Sequence, residues 1–266
     1  MRLSTPILTL SLCIGASTLC ADIIFYDDFG DSSTNSNLPG RTPVTGTGNN
    51  WVGFNGGDNF GWKVVDGAAE FGSATTSNAM AGVLIGASYF ADNPGIYSLS
   101  AVFNMTDVDS TTWYGLGFAQ AFSSSANTGL YQTGSTQGEP WLFMRNNGEF
   151  NVRYGALTNT DLYSQDGYDV TSFTAELILN TTVAQWTVDA YINGVQVDLD
   201  EAGAGLTYTY EENPLSIASV GLSSATGAQG AIQSITLQTV PEPEAYAMIF
   251  GFGVLAISLV WRKNQR

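Results

Sequence analysis

The chain has 266 residues, no histidine, and eight Lys and Arg against 24 Asp and Glu, a net charge of -16. Between Asp22 and Val240 the imbalance is steeper, with Arg41, Lys63, Arg145 and Arg153 facing 22 acids, a net of -18. Such a surface repels phosphate backbones and anionic lipid heads, so no nucleic acid is expected as a partner. Without imidazole there is no His-based triad, proton shuttle or metal site.

The N-terminal segment, MRLSTPILTLSLCIGASTLCA, combines a positive Arg2, a short apolar run from Ile7 to Ile14 and a small Ala21. This is the pattern of a secretory signal peptide, to be removed by signal peptidase after Sec-type export. Leu19 is larger than the residue usually found before the cut. It also makes Cys20 a poor lipid-attachment site. Both cysteines of the chain, Cys13 and Cys20, lie in this segment. The exported protein is therefore expected to have no disulfide and no thiol nucleophile.

From residue 22 to 239, short runs of alternating character recur with turn signals between them. DIIFYDDF opens the series, and GWKVVDGAAEFG follows with an Asp-Gly turn at 66 and 67. AGVLIGASYF and GIYSLSAVFNMTDV come next. In the latter, Ile96, Ser98 and Ser100 alternate with Tyr97, Leu99 and Ala101, the two-residue period of a half-buried strand. TTWYGLGFAQAF is a further strand. PWLFMRNNGEFNVRYG reads as a hairpin through Asn147 and Gly148. In SFTAELILNTTVAQWTVDAYINGVQV, Val188, Ala190 and Ile192 alternate with Thr187, Asp189 and Tyr191 before an Asn193-Gly194 turn. SIASVGLSSA and AIQSITLQTV close the series. No stretch carries a helical stripe. The pattern predicts an all-β fold of roughly 11 to 14 strands in two packed sheets, and no repeat period points to a propeller or solenoid.

The residues available for chemistry are carboxylates, amides and aromatics. Glu70, Glu139, Glu149, Glu176 and Glu201 stand apart in sequence, and no Glu-x-Asp-x-x-Glu strand occurs. Glycoside hydrolysis needs two carboxyl groups facing one groove, so a non-catalytic protein is the primary reading. A divergent polysaccharide hydrolase or lyase is the alternative, and a purely structural matrix protein is a third. Asp27, Asp28 and Asp31 cluster near Asn35 and offer hard oxygens for a structural calcium ion. Asp107 with Asp109, and Asp198 with Asp200 and Glu201, are further acidic groups. The stretch TGTGNNWVGFNGGDNFGW (residues 45 to 62) is the most glycine-rich and least strand-like. Trp51, Phe54 and Trp62 with Asn55 are its candidate glycan contacts, as aromatic platforms beside an amide.

The C-terminal segment, 240 to 266, reads VPEPEAYAMIFGFGVLAISLVWRKNQR. Ala245 to Trp261 carries no charge and is long enough for a helix of about 25 Å. Arg262, Lys263 and Arg266 follow as a cationic stop, which the positive-inside rule places in the cytoplasm. The preceding prolines hold an extended backbone that a protease can reach.

Pro241, Glu242 and Pro243, the apolar segment and the basic end together resemble the PEP-CTERM sorting signal. The resemblance implies a protein exported across the inner membrane of a Gram-negative bacterium and held there transiently by the C-terminal helix. An exosortase then cuts near the tripeptide, and the product passes to the cell surface or the extracellular polysaccharide matrix. A second resemblance rests on DDFG near the start, WTVDAYINGVQV (186 to 197) and SVGLSSATGAQGAIQSITLQ (219 to 238). These look like parts of concanavalin-like or LamG-like jelly rolls. That likeness implies a two-sheet sandwich whose first and last strands pair, glycan binding, and calcium near the binding rim.

Overall fold

Alternating side chains build β4, β5, β12 and β13, whereas β6, β8 and β16 are buried almost throughout. The computed structural model describes residues 21–30, 36–55, 61–71, 79–106, 112–120, 138–145, 148, 150–153, 164–165, 171–198, 205–225 and 227–241. In chain order these hold β1 (Ile23–Asp27), β2 (Ser36–Asn37), β3 (Val52–Asn55), β4 (Trp62–Val65), β5 (Ala68–Phe71), β6 (Ala79–Leu84) and α1 (Tyr89–Asp92). Then come β7 (Ile96–Met105), β8 (Trp113–Gln120), β9 (Gly138–Arg145), β10 (Phe150–Arg153), β11 (Ser164–Gln165) and β12 (Phe173–Asn180). The series ends with β13 (Thr187–Ile192), β14 (Val195–Val197), β15 (Tyr208–Thr209), β16 (Ile217–Ser224) and β17 (Gly230–Thr239).

The strands form two antiparallel sheets. One has ten strands, along the path β14-β13-β12-β7-β17-β5-β4-β2 with β1 also on β17 and β15 on β13. The other has seven, in the order β11-β10-β9-β8-β16-β6-β3. The fold is a two-sheet jelly-roll sandwich, as expected, and the first strand pairs with the last: Tyr26 lies opposite Thr236 and Asp27 opposite Ile235. Residues Asp22–Val240 form one compact unit.

The core lies between the sheets. From the ten-stranded sheet come Leu99, Phe103, Phe173, Leu177, Val188 and Leu237, and from the other Tyr114, Leu116, Phe118, Leu142, Val220 and Leu222. In β13 the alternation read from the sequence holds, with Val188, Ala190 and Ile192 buried and Thr187, Asp189 and Tyr191 half-buried. In β17 strict alternation would send Ile232 to the wrong face from Ile235 and Leu237. A bulge between Ile232 and Ser234 inserts one residue, Gln233, so all three apolar side chains reach the core. The hairpin turns at Asp66-Gly67 and Asn193-Gly194 carry positive φ at both positions, 47° and 79° in the first and 52° and 76° in the second. That is the mirror-image turn whose twist matches the flanking strands.

Three expectations need correction. The described strands number seventeen rather than 11 to 14, because β2, β11, β14 and β15 are two- or three-residue pieces too short to leave an alternating pattern. The strand expected over AGVLIGASYF stops at Leu84. Ser88, at φ 58°, turns the chain into the single helical turn α1, and Phe90 inserts against Tyr97 and Phe118 at ring distances of 4.9 and 5.4 Å. The glycine-rich stretch 45 to 62 contains a paired strand, β3, against β6. The expected signal peptide (1–21, of which only Ala21 is described), Glu242, Pro243, the apolar segment 245–261 and the cationic stop lie outside the described residues. Among those described, no helix is long and apolar enough to cross a membrane.

Candidate functional site

Of the residues expected to contact glycan, Trp51 and Trp62 are placed differently from expectation, and the side chains of Phe54 and Asn55 lie outside the described ones. Trp51 is 1 % exposed and Trp62 is fully buried, so neither presents a ring to solvent. Trp62 packs edge-on against Phe71 and Tyr114 in the main core. Trp51 sits against Phe25 and Phe29. Trp62 is the first residue of β4, and Trp51 immediately precedes β3. Phe54 and Asn55 lie on β3 opposite Met80 and Ala79.

Asp27, expected as a calcium ligand, ends β1 with a fully buried carboxylate. Its Oδ1 accepts the Phe29 N–H at 2.9 Å and an Arg41 guanidinium N–H at 3.0 Å. Its Oδ2 accepts Arg41 Nε–H at 3.2 Å and Trp51 Nε1–H at 2.8 Å. A buried charge needs a partner and satisfied lone pairs, and the two-pronged guanidinium with two neutral donors supplies both. All four donors point at the oxygens a cation would need, so Asp27 does not fit a calcium ligand. Asp28 accepts the Gly30 N–H at 3.0 Å. It also hydrogen-bonds Tyr26, whose phenol is pushed above its ordinary range, first by burial and then by the Asp28 charge. Asp31 lies outside the described residues. Among those described, no three His, Cys, Asp or Glu side chains gather closely enough to hold a metal ion.

Each sheet has an outer face that could meet a ligand. On the seven-stranded sheet the middle of that face is covered among the described residues, while Val52 at its edge is exposed. Trp141 of β9 lies across β8 and donates its Nε1–H to Ser223 Oγ of β16 at 3.0 Å. Gly115 and Gly117 make the room, since a Cβ at either position would overlap the indole. Met80, Ala119, Trp141 and Phe143 form a second buried apolar cluster there, with Trp113 against it. Every residue of β16 is buried, including Ser219, whose hydroxyl donates to the Ala119 carbonyl at 3.1 Å.

The outer face of the ten-stranded sheet is polar and half-open. Glu176 of β12 accepts the Ser98 hydroxyl at 2.5 Å. Asp189 of β13 accepts Gln196 Nε2–H at 2.8 Å and the Thr207 hydroxyl at 2.5 Å. Tyr191 lies opposite Glu176 and two residues from Asp189 on β13, and its phenol is pushed up by burial first and then by Asp189 and Glu176. This face has ordered acceptors, hydroxyls and a phenol beside one another, which is the equipment for holding a polyhydroxylated ligand. The sequence reading missed it because each member, taken alone, is an ordinary outward position of an antiparallel strand.

No protein-family model matches the chain, and no curated protein matches it. Among solved structures, the endo-1,3-β-glucanase from Streptomyces sioyaensis is similar over 84 % of this chain and 97 % of its own, at 10 % identity and a TM-score of 0.51. The Emp47p carbohydrate recognition domain aligns over 81 % of this chain and 97 % of its own, at 9 % identity and a TM-score of 0.48. The lectin UEA-II in complex with galactose aligns over 79 % and 98 %, at 12 % identity and a TM-score of 0.45. The sheet order and the glucanase likeness agree on a jelly roll of the concanavalin-like kind.

Proposed function

We propose that the chain is an exported, non-catalytic β-sandwich that binds polysaccharide at or beyond the cell surface. The carrying observation is the frame. The sandwich spans 97 % of a glucanase whose substrate is a 1,3-β-glucan, and its open polar face presents hydroxyl, amide and carboxylate groups already hydrogen-bonded into place, with the Tyr191 phenol beside them. Ordered polar groups lose little freedom on binding, which favours recognition of a weakly held, flexible polymer. The test is retention of the purified full chain on immobilised neutral glucans, mannan and xylan. Flow-through in all of them removes the proposal.

The competing reading, a glycan hydrolase, has one observation in its favour. Glu176 and Asp189 sit on adjacent strands, on one face, at diagonal positions: Glu176 is opposite Tyr191 and Ile178 opposite Asp189. Release of reducing ends from a bound glucan, abolished by Glu176→Gln, would establish that reading instead.

Sorting is the second part of the proposal. Pro241, Glu242 and Pro243, with the apolar and basic segments behind them, support processing by an exosortase after Sec export and signal peptidase cleavage. Intact mass of the exported protein from an exosortase-bearing host is expected to end near residue 244. Retention of Trp261 would overturn it.

A further inference from the structure

Strand register on the ten-stranded sheet lines up six residues from six consecutive strands. Tyr26 of β1 is opposite Thr236 of β17, Thr236 is opposite Ser100 of β7, and Ser100 is opposite Glu176 of β12. Glu176 is opposite Tyr191 of β13, and Tyr191 is opposite Gln196 of β14. Directly opposed residues share a face, so this is one continuous row running across the strands and following their twist. All six are half-buried and all six carry a hydroxyl, carboxylate or amide. Neighbouring strands lie about 4.8 Å apart, so five steps carry the row across roughly 24 Å.

Resting on the polysaccharide-binding reading, we propose that this row, Tyr26–Thr236–Ser100–Glu176–Tyr191–Gln196, is the binding track for an extended, uncharged polysaccharide lying across the strands. The step of the row is close to the length of one pyranose ring in an extended chain. Successive sugars therefore meet successive side chains. Glu176 accepts sugar hydroxyls, and Ser100, Thr236 and Gln196 both donate and accept. The two tyrosines offer rings and phenols toward either end. Charge selects the occupant. The row holds a carboxylate, Asp189 lies beside it, and none of its six positions is cationic, within a region of net charge -18. An acidic polymer would be repelled, and a neutral one meets no such penalty. Two of the six are held in place: Ser98 donates to Glu176, and Gln196 donates to Asp189.

The test is affinity electrophoresis of the full chain in gels containing soluble mixed-linkage β-glucan, mannan, xylan or alginate. The row predicts retardation by at least one neutral polymer and none by alginate. Tyr191→Ala, Glu176→Gln and Thr236→Val are each expected to weaken that retardation at least fivefold, with Val52→Thr, on the edge of the other sheet, as the unaffected control. Melting temperature is read for every variant. Thr236→Val and Gln196→Ala, outward changes at half-exposed positions, decide the matter if a larger change unfolds the sheet. Retardation of the wild type that these folded variants retain in full overturns the row and leaves the polysaccharide reading standing. No retardation of the wild type in any gel overturns both. Stronger retardation in alginate overturns the choice of an uncharged occupant.

Discussion

The buried Asp27–Arg41 pair offers the clearest test of how the sandwich is held together. Asp27 is fully buried, Arg41 is 11 % exposed at its side chain, and they meet through two N–H groups at 3.0 and 3.2 Å. Arg41→Met leaves the carboxylate with only the Trp51 and Phe29 N–H groups, in a place water does not reach. Removing one member of a buried pair costs about 3–5 kcal/mol, most of it from the stranded charge. For a domain of this size each kcal/mol moves the melting temperature by roughly 2–4 °C, so the loss is on the order of 10 °C. Asp27→Asn should do similar harm, since it removes the buried counter-charge of the guanidinium. The double variant Asp27→Asn/Arg41→Met removes both charges together. It is expected to be less unstable than the sum of the single changes by about 2 kcal/mol or more. Urea unfolding followed by tryptophan fluorescence reads all four proteins, because Trp51 donates to the same carboxylate. Single variants that lose less than about 1 kcal/mol, or a double variant that is simply additive, would refute this account of the network.

Three further outcomes are expected. Gly117→Ala forces a methyl into the Trp141 ring and the Pro140 carbonyl, and should destabilise the protein by about 1–3 kcal/mol with altered Trp emission in equilibrium unfolding. The Glu70 carboxyl is raised, chiefly by burial and then by Asp66. The native state therefore takes up its proton before the unfolded chain does, and this group adds stability as pH falls from its raised value towards the ordinary carboxylate range. Glu70→Gln should abolish that increment in denaturation curves taken between pH 7 and pH 4, and should be no less stable than the parent at pH 7. Tyr97, pushed up to about 12 by burial and donating to the Asn93 carbonyl, stays protonated in the native state after the unfolded chain has ionised near pH 10. Its contribution is present below pH 10 and is lost between pH 10 and 12. Tyr97→Phe should flatten the alkaline arm of the stability profile in that window.

Much of the sandwich was legible in the chain because two-residue alternation is a local property. Tyr97, Leu99 and Ala101 in β7, and Val188, Ala190 and Ile192 in β13, declare their inward face without reference to any neighbour. The Asp66-Gly67 and Asn193-Gly194 turns are equally local, since the required positive φ is supplied by the residue types themselves. The candidate site was not legible. A glycine-rich stretch with tryptophans resembles an exposed loop, yet Trp51 is held inward by the carboxylate of Asp27, which comes from a different strand and is itself neutralised by Arg41. Gly115 and Gly117 look ordinary until Trp141 is laid across them from another strand.

By itself the sequence determined the all-β class, the two-sheet solution, the pairing of the first and last strands implied by its likeness to jelly rolls, and a strongly acidic composition. The class, the sheets and the acidity follow from the period of side chains along a strand and from composition, neither of which needs a partner, and the strand pairing follows from the likeness alone. Only the tertiary structure decided which aromatic rings are core, which aspartate is occupied by donors, and which six polar side chains stand in one line. Each of those depends on strand register, and register is a relation between segments that can lie at opposite ends of the domain's sequence, as Tyr26 and Thr236 do.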